Sequence, residues 1–400
     1  MMIIVRPGEE SLINNAKWTL VYGRIKTGKT FLCTKFKEHD EYFFVKRDRS
    51  IIELNSMTEM VYSTFREILI RSISSGRSVA VDEFHRLGPD FQDLLHSIEQ
   101  KGRLTLISST LHLSRELISP SSPLLGKFGE ANIGMIDLQD ILSELKSKIK
   151  SKKELVETAV ILREPLMINF YDNGHLNFIL PGIKLTVPAL IGEIFTEEDR
   201  KLSALYEGII RATAIGKWSS SQMSSYLFSR GLLKKDDPSY MQQYLVNLVK
   251  FGILAKVNVW NKKRVVYRHV SPVTRTYYYV DEKYCIADRD ISQKESNRYI
   301  EDIFPHIVED SIQEMFAKKY GLSLFVHHDP DNEVEGIFTR FKKPILALEV
   351  KWKNRISMED IKRAEKSLGR IPAPRKVLFV PDKKGLQSEA LEIMDISDMI

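Results

Sequence analysis

The clearest chemistry in the chain lies in one run, Gly23-Arg24-Ile25-Lys26-Thr27-Gly28-Lys29-Thr30, a complete G-x-x-x-x-G-K-T. Glycines let backbone N–H groups turn inward around phosphates, and a helix opening at the loop's end presents its positive pole to the anion. Lys29 is expected to reach the β- and γ-phosphates and Thr30 to hold Mg²⁺, which makes Gly23 through Thr30 a nucleotide-binding loop. The apolar run WTLVY before it and the helical pattern FLCTKF after it supply the strand–loop–helix context that the motif needs. Downstream, Ser78-Val79-Ala80-Val81 is an apolar strand pattern ending in Asp82-Glu83. Asp82 is expected to bind the metal through water, and Glu83 to polarise the attacking water as general base. Acidic pairs also follow strands on plain surfaces, so it is the loop upstream that gives this pair its meaning. Ser109, in the Ser108-Ser109-Thr110 run after Leu104–Ile107, is placed to sense the γ-phosphate. No guanine-reading Asn-Lys-x-Asp occurs, so ATP is the expected nucleotide.

A second constellation lies near the C-terminus. Glu335 sits in the run Glu333-Val334-Glu335-Gly336, and Glu349 and Lys351 sit in Leu348-Glu349-Val350-Lys351. Strand alternation puts Glu349 and Lys351 on one face. With Glu335 from the preceding strand they form a carboxylate pair able to hold Mg²⁺ beside a lysine, the equipment for activating water against a phosphodiester. Asp331 and Glu333 compete with Glu335 for the first position, and acidic-x-Lys is also a plain cross-strand charge pattern. The helix carrying Lys362, Arg363, Lys366 and Arg370 would grip phosphates or form a solvated face. His327-His328-Asp329 reads as a turn entering Pro330 rather than as metal ligands.

The elements that must position these residues divide the chain into four zones. Residues 1–134 alternate short apolar strands with helices, the rhythm of a parallel α/β sheet. Residues 135–197 mix a charged helix with Gly/Pro-punctuated pieces such as Pro181-Gly182, a small helical lid. Residues 198–292 hold three helices and an alternating hairpin, a winged helix; Pro238 opens one helix, and Gly231 and Gly252 close others. The hairpin tip is basic (Lys262, Lys263, Arg264), with Lys256 and Arg268 on its arms, while Gln242, Gln243 and Asn247 on the third helix are candidate base readers. Residues 293–400 run helix, strands, basic helix, strand.

Composition bounds the rest. At 400 residues, two to four domains are expected. Hydrophobic residues at 43% and charged residues at 28% exclude a disordered or fibrous chain, and 2 cysteines exclude a disulfide framework or cysteine-rich zinc site. A net charge of +6 permits a nucleic-acid partner without demanding one. No signal peptide or membrane span is legible, so the expected location is cytoplasmic.

The N-terminal third resembles the archaeal ATPase family of AAA-related and STAND-like P-loop proteins. The resemblance rests on Arg6, Glu9, Glu10 and Leu12 before the first strand, on the phosphate loop, on Asp82-Glu83-Phe84-His85-Arg86-Leu87, and on Ser122-Pro123-Leu124-Leu125-Gly126-Lys127 followed by Ile136-Asp137-Leu138. In that family the last motif normally ends Gly-Arg with a nucleotide-facing cation. Lys127 stands there, keeping the charge without the planar fork, so efficiency of hydrolysis rather than nucleotide binding is what changes. The interval from Thr30 to Asp82 is short for the family. The resemblance implies an AAA-like P-loop core with lid, a winged helix-turn-helix domain, and a C-terminal α/β restriction-endonuclease-like (PD-(D/E)XK) domain. Glu309, on the preceding helix, falls where such nucleases place a further acid. It further implies an ATPase acting on or near duplex or branched DNA, and leaves a homo-oligomer open, because a neighbour's cation often completes such sites. A nucleotide-gated STAND-like switch and an ATPase-regulated nuclease are the alternatives.

Overall fold

The computed structural model describes residues 2–111, 114, 117, 119–120, 122–171, 179–198, 200–329 and 332–400. The apolar runs of the N-terminal zone form β1 (Trp18–Tyr22), β2 (Glu41–Val45), β5 (Ser78–Asp82), β6 (Arg103–Ser108) and β7 (Gly129–Asn132), all parallel. The short β3 (Ile51–Glu53) and β4 (Thr58–Met60) continue one edge antiparallel, giving the order β4-β3-β2-β5-β6-β1-β7. β1 is buried at every position, as expected of a parallel strand covered on both faces. The covering helices are α1 (Pro7–Asn14), α2 (Lys29–Phe36), α3 (Tyr62–Ser74) and α4 (Pro89–Ser97). With β6 inserted between β1 and β5, the ends of these three strands open side by side, at the edge where open α/β sheets take ligands.

The lid comprises α5 (Leu138–Leu145), α6 (Lys152–Leu162), α7 (Ile179–Ile183) and α8 (Thr186–Glu197). Pro181-Gly182, expected as punctuation, lies inside α7; Pro181 falls in its first turn, where a missing N–H removes no helical hydrogen bond. α6 buries side chains almost all round, from Leu155 to Leu162, which marks a helix wedged between bodies. At its start Lys152 pairs with Asp395 at 2.6 Å and Asp382 at 3.0 Å, and Glu157 accepts from Trp352 Nε1 at 2.9 Å. Just past its end, Arg163 pairs with Glu314 at 2.5 Å, and Glu164 accepts both oxygens' worth of hydrogen bonds from Arg24 Nη2, at 2.8 and 2.7 Å.

Three helices follow, α9 (Ala204–Ala214), α10 (Ser220–Ser229) and α11 (Gln242–Lys250), then the hairpin β8 (Leu254–Val259) and β9 (Val265–His269). The hairpin read from sequence as a wing does not stand alone. Instead β8 pairs in parallel with β10 (Ser323–Asp329) through Phe325↔Asn258 and Val326↔Val259. Trp260 N donates to Val326 O at 2.8 Å and its ring packs on Phe325. Pairing satisfies backbone groups that a lone hairpin would leave at an open edge. The resulting sheet runs β14-β13-β12-β11-β10-β8-β9, with β11 (Asn332–Arg340), β12 (Lys343–Val350), β13 (Arg375–Phe379) and β14 (Glu392–Met394). Residues 198–292 and 293–400 therefore share one sheet. Around it lie α12 (Pro272–Tyr284), the 28-residue α13 (Gln293–Tyr320) and α14 (Met358–Gly369). His327–Asp329, expected as a turn, continue β10, because β11 pairs with them down to Asn332. One apolar cluster runs unbroken from Ile4 through the lid and α9–α13 to Met399.

The Arg24–Glu164 pair has side chains 5% and 0% exposed. Glu164→Ala, which strands Arg24 in the interior, is expected to destabilise the chain by about 3–5 kcal/mol. Arg24→Met with Glu164→Leu should recover most of that in denaturant melts. Equal loss in the single and double variants would mean that the pair is not what joins loop to lid.

Candidate functional site

The phosphate loop is shaped by two glycines and one arginine from outside it. A Cβ on Gly23 would come within 2.0 Å of the Ile133 carbonyl oxygen, so only glycine lets the chain leave β1 past β7. Gly28 is left-handed at φ 89° and caps α2. Arg6 donates to the Thr27 carbonyl at 2.9 Å and pairs with Glu9 at 2.6 Å. Thr27 Oγ1 donates to the Arg24 carbonyl at 2.8 Å, Ile25 is half-buried against the lid core, and Lys26 is exposed. Lys29 opens α2 and is buried; its ammonium donates to the carbonyls of Gly23 (2.8 Å) and Arg24 (2.9 Å). Burial pulls the Lys29 pKa down to about 8.

Asp82, Glu83 and Ser109 converge on this loop. Thr30 Oγ1 donates to Asp82 Oδ2 at 2.7 Å, the Tyr42 hydroxyl donates to the same oxygen at 3.0 Å, and Glu83 N donates to Asp82 Oδ1 at 2.9 Å. Burial pushes the Asp82 carboxyl above its ordinary range. Ser109 Oγ donates to Glu83 Oε2 at 2.8 Å. A hydroxyl and a carboxylate held together are hard oxygen donors of the kind that suits Mg²⁺.

Lys127 does not join them. Its ammonium donates to the carbonyls of Leu95 (3.1 Å) and His96 (2.6 Å) at the end of α4 and lies 5.9 Å from the Trp18 ring. Trp18 begins β1 and the loop leaves its other end, so Lys127 caps a helix near the end of the strand away from the loop. The cation next to Glu83 is Arg86, at 3.8 Å.

Glu197, the last residue of α8, enters the same mouth and is not singled out by any sequence motif. Its Oε2 lies 3.2 Å from Ser109 Oγ and 3.3 Å from His85 Nε2, while His85 Nδ1 lies 3.3 Å from Glu83. Arg86 reaches Glu197 at 3.6 Å. The hydrogen bond with His85, aided by Arg86 and Ser109, holds the Glu197 carboxyl down at about 2. Glu198 beside it accepts from Leu111 N at 2.6 Å. The lid thus places a carboxylate that its neighbours favour in the ionised form against Glu83 and Ser109.

The C-terminal constellation also comes together. Val350 N donates to Glu335 Oε2 at 2.6 Å; Lys351 pairs with Glu349 and lies 3.9 Å from Glu335. Burial, then the charges of Glu309 and Glu349, push Glu335 well above the usual carboxylate range. Glu309 reaches the cluster from α13 and pairs with His306 at 3.0 Å. Carboxylates crowded until one resists ionisation, beside a lysine, fit a divalent cation by charge. Asp331, one of the two competitors for the first position, lies outside the described residues.

Of the candidate nucleic-acid contacts, Gln242, Gln243, Lys262, Lys263, Arg264, Lys362, Arg363, Lys366 and Arg370 are exposed. Two others are committed inward. Arg268 is held by Gln313 at 2.7 Å and Asp310 at 2.8 Å, and Asn247 donates to the Tyr206 hydroxyl at 2.6 Å.

No protein-family model matches this chain, and a search of curated proteins returns no match. Among solved structures it is similar to a Walker-type ATPase of Pyrococcus abyssi, with 19% identity and a TM-score of 0.50, covering 69% of this chain and 96% of that one. It also matches the ORC2 protein of Aeropyrum pernix in its ADPNP–ADP complexes, at 12% identity, TM-score 0.38, and 78% and 93% coverage. A third match is a STAND protein with a tetratricopeptide-repeat sensor from Pyrococcus horikoshii, at 16% identity, TM-score 0.31, and 78% and 51% coverage. The parallel-sheet core with its phosphate loop has the fold of the Pyrococcus abyssi ATPase.

Proposed function

We propose that this chain binds ATP with Mg²⁺ in the loop Gly23–Thr30 and hydrolyses it, using the turnover to act on DNA. The observation that carries the reading is the 2.7 Å hydrogen bond from Thr30 to Asp82, which joins the end of the loop to the end of β5 beside Lys29. Thr30 and Asp82 would hold the metal, whose chemistry is to neutralise charge on the β- and γ-phosphates. Lys29 exchanges the loop carbonyls it now caps for phosphate oxygens. Glu83 takes the proton of the attacking water once Ser109 releases it, and Arg86 supplies positive charge beside the γ-phosphate. The C-terminal Glu309, Glu335, Glu349 and Lys351 would form a metal-dependent phosphodiester site, with Glu335 and Glu349 as ligands and Lys351 beside the developing charge. DNA enters as partner from the exposed cations of the hairpin tip and α14 and from this cluster.

A nucleotide-gated switch is the second reading, and Glu197 favours it. Triphosphate entering the mouth meets an ionised lid carboxylate, so binding and lid position are linked electrostatically.

Steady-state ATP hydrolysis with Mg²⁺, with and without duplex and branched DNA, separates the two. Stimulation by DNA supports the first reading; tight binding with turnover indifferent to DNA supports the second. Glu83→Gln should keep ATP affinity and lower turnover by about 10²–10⁴.

ATP affinity should be flat below pH 8 and fall above it. The unliganded Lys29 loses its proton near pH 8, the bound polyphosphate raises its pKa, and binding then takes up a proton. Kd should rise by at most about tenfold per pH unit, and Lys29→Met should remove the dependence. Glu197→Gln should tighten ATP binding by about fivefold, the worth of ~1 kcal/mol of like-charge repulsion, in an equilibrium titration.

A further inference from the structure

We propose that the turn between β11 and β12 is a nucleic-acid-contacting tip, in which the Phe341 ring stacks on an unpaired or opened base while Arg340, Lys342 and Lys343 hold the flanking phosphates. It rests on the reading of DNA as a partner and names the DNA feature recognised. Arg340 and Lys343 are the closing pair of a two-residue loop, Phe341-Lys342. Both loop residues have positive φ, 49° and 66°. Asn and Gly are the residues that take this conformation cheaply; Phe and Lys take it under strain. Placing two cations directly opposite each other adds a second local penalty. Neither cost is offset within the fold, because Phe341 is 94% exposed and touches no core. Among the described residues no large apolar side chain is more exposed, and none of these three cations is paired with an acid.

What the tip offers is a flat apolar ring at the apex of a β-ribbon, ringed by three positive charges. That is complementary to nucleic acid, whose bases present stacking faces between phosphates, and Phe is among the residues that wedge between base steps. A bilayer surface would also attract the cations, but one Phe without Trp or Tyr is a poor interfacial anchor. From Lys343 to Glu349 along β12 is about 20 Å, at about 3.3 Å per residue. The tip therefore meets DNA about six nucleotides from the carboxylate cluster, taking about 3.4 Å per nucleotide.

The test uses the full chain and fluorescence anisotropy on a labelled single strand, a splayed fork and a blunt duplex of equal length. Phe341→Ala should weaken binding to the single strand and fork by about tenfold and leave the blunt duplex unchanged. Phe341→Trp should retain affinity, with its indole emission quenched on binding. Reversing the three cations to Glu should reduce the salt slope by about two to three. Phe341→Asn, which relieves the positive φ, should lose fork binding while melting no lower than the parent, separating contact from folding. If the parent binds DNA and Phe341→Ala binds every substrate equally well, the tip proposal is overturned and the DNA reading stands. A parent that binds no DNA overturns both. Phe341-dependent flotation on vesicles of 3:7 phosphatidylserine and phosphatidylcholine, without DNA binding, would assign the tip to membranes and overturn the proposal.

Discussion

The pair between Arg24 and Glu164 is the constraint on which the rest of the arrangement depends. It removes both charges from water, and the cost of doing so offsets most of what their attraction returns. Net stability is therefore a weak account of why a phosphate-loop residue is tied to the segment after α6. The consequence is geometric. Arg24 leads out of β1 into the loop, its carbonyl accepts from both Lys29 and Thr27, and its side chain is fixed in the lid. Under the proposed function, phosphates drawing Lys29 away from that carbonyl would release one of the bonds that hold Arg24, so occupancy of the loop would bear directly on the lid.

The lid has further attachments through which such a change would travel. Glu197 shares Ser109, His85 and Arg86 with the proposed base. From the middle of α6, Glu157 holds Trp352, the residue after Lys351, and just past its end, beside Glu164, Arg163 holds Glu314 on the helix that also carries Glu309. α6 has 11 residues, and a rigid helix of that length spans about 16 Å. One buried helix and the turn after it thus touch the phosphate loop through Glu164 and the neighbourhood of the C-terminal carboxylates through Glu157 and Arg163. Coupling of this sort needs two arrangements of the lid, and the mouth supplies a reason for two: Glu197 is favoured beside His85 and Arg86 when they face no phosphate, and repelled when they do.

Much of the candidate nucleotide site was legible because it is local. Eight of its residues are contiguous in Gly23–Thr30, and the strand periodicity around Asp82 and Ser109 is enough to bring them to the same sheet edge. The residues that escaped are those whose role depends on tertiary approach: Glu164 sits just past a helix, Glu197 at a helix end and Tyr42 in a strand, and nothing in their spacing points at Asp82 or Arg24. Lys127 shows the converse. A motif position suggested a phosphate-facing cation, yet the side chain answers to the carbonyls ending α4, a demand set by where that helix stops. The C-terminal cluster was legible from strand alternation, but the crowding that raises Glu335 comes from Glu309 across a helix–sheet contact and has no signature in the strand itself.

The hairpin β8–β9 marks where local pattern and assembled structure part most clearly. Its alternation and basic tip describe a wing equally well whether the wing is free or paired, because an edge strand's own sequence does not say what covers it. Pairing with β10 changes its mechanics. A free wing adjusts to the DNA backbone independently of its neighbours, whereas this one moves only with the seven-stranded sheet. At the level of the β8–β10 pairing, Val259 is beside Val326, and β10 is next to β11, which carries Glu335. The basic tip and the carboxylates therefore belong to one end of one rigid sheet, separated by strand spacings of about 4.8 Å, while Phe341 marks the other end. Any DNA held by more than one of these features must follow the spacing of the sheet, and a lid movement delivered through Trp352 shifts them as a unit rather than singly.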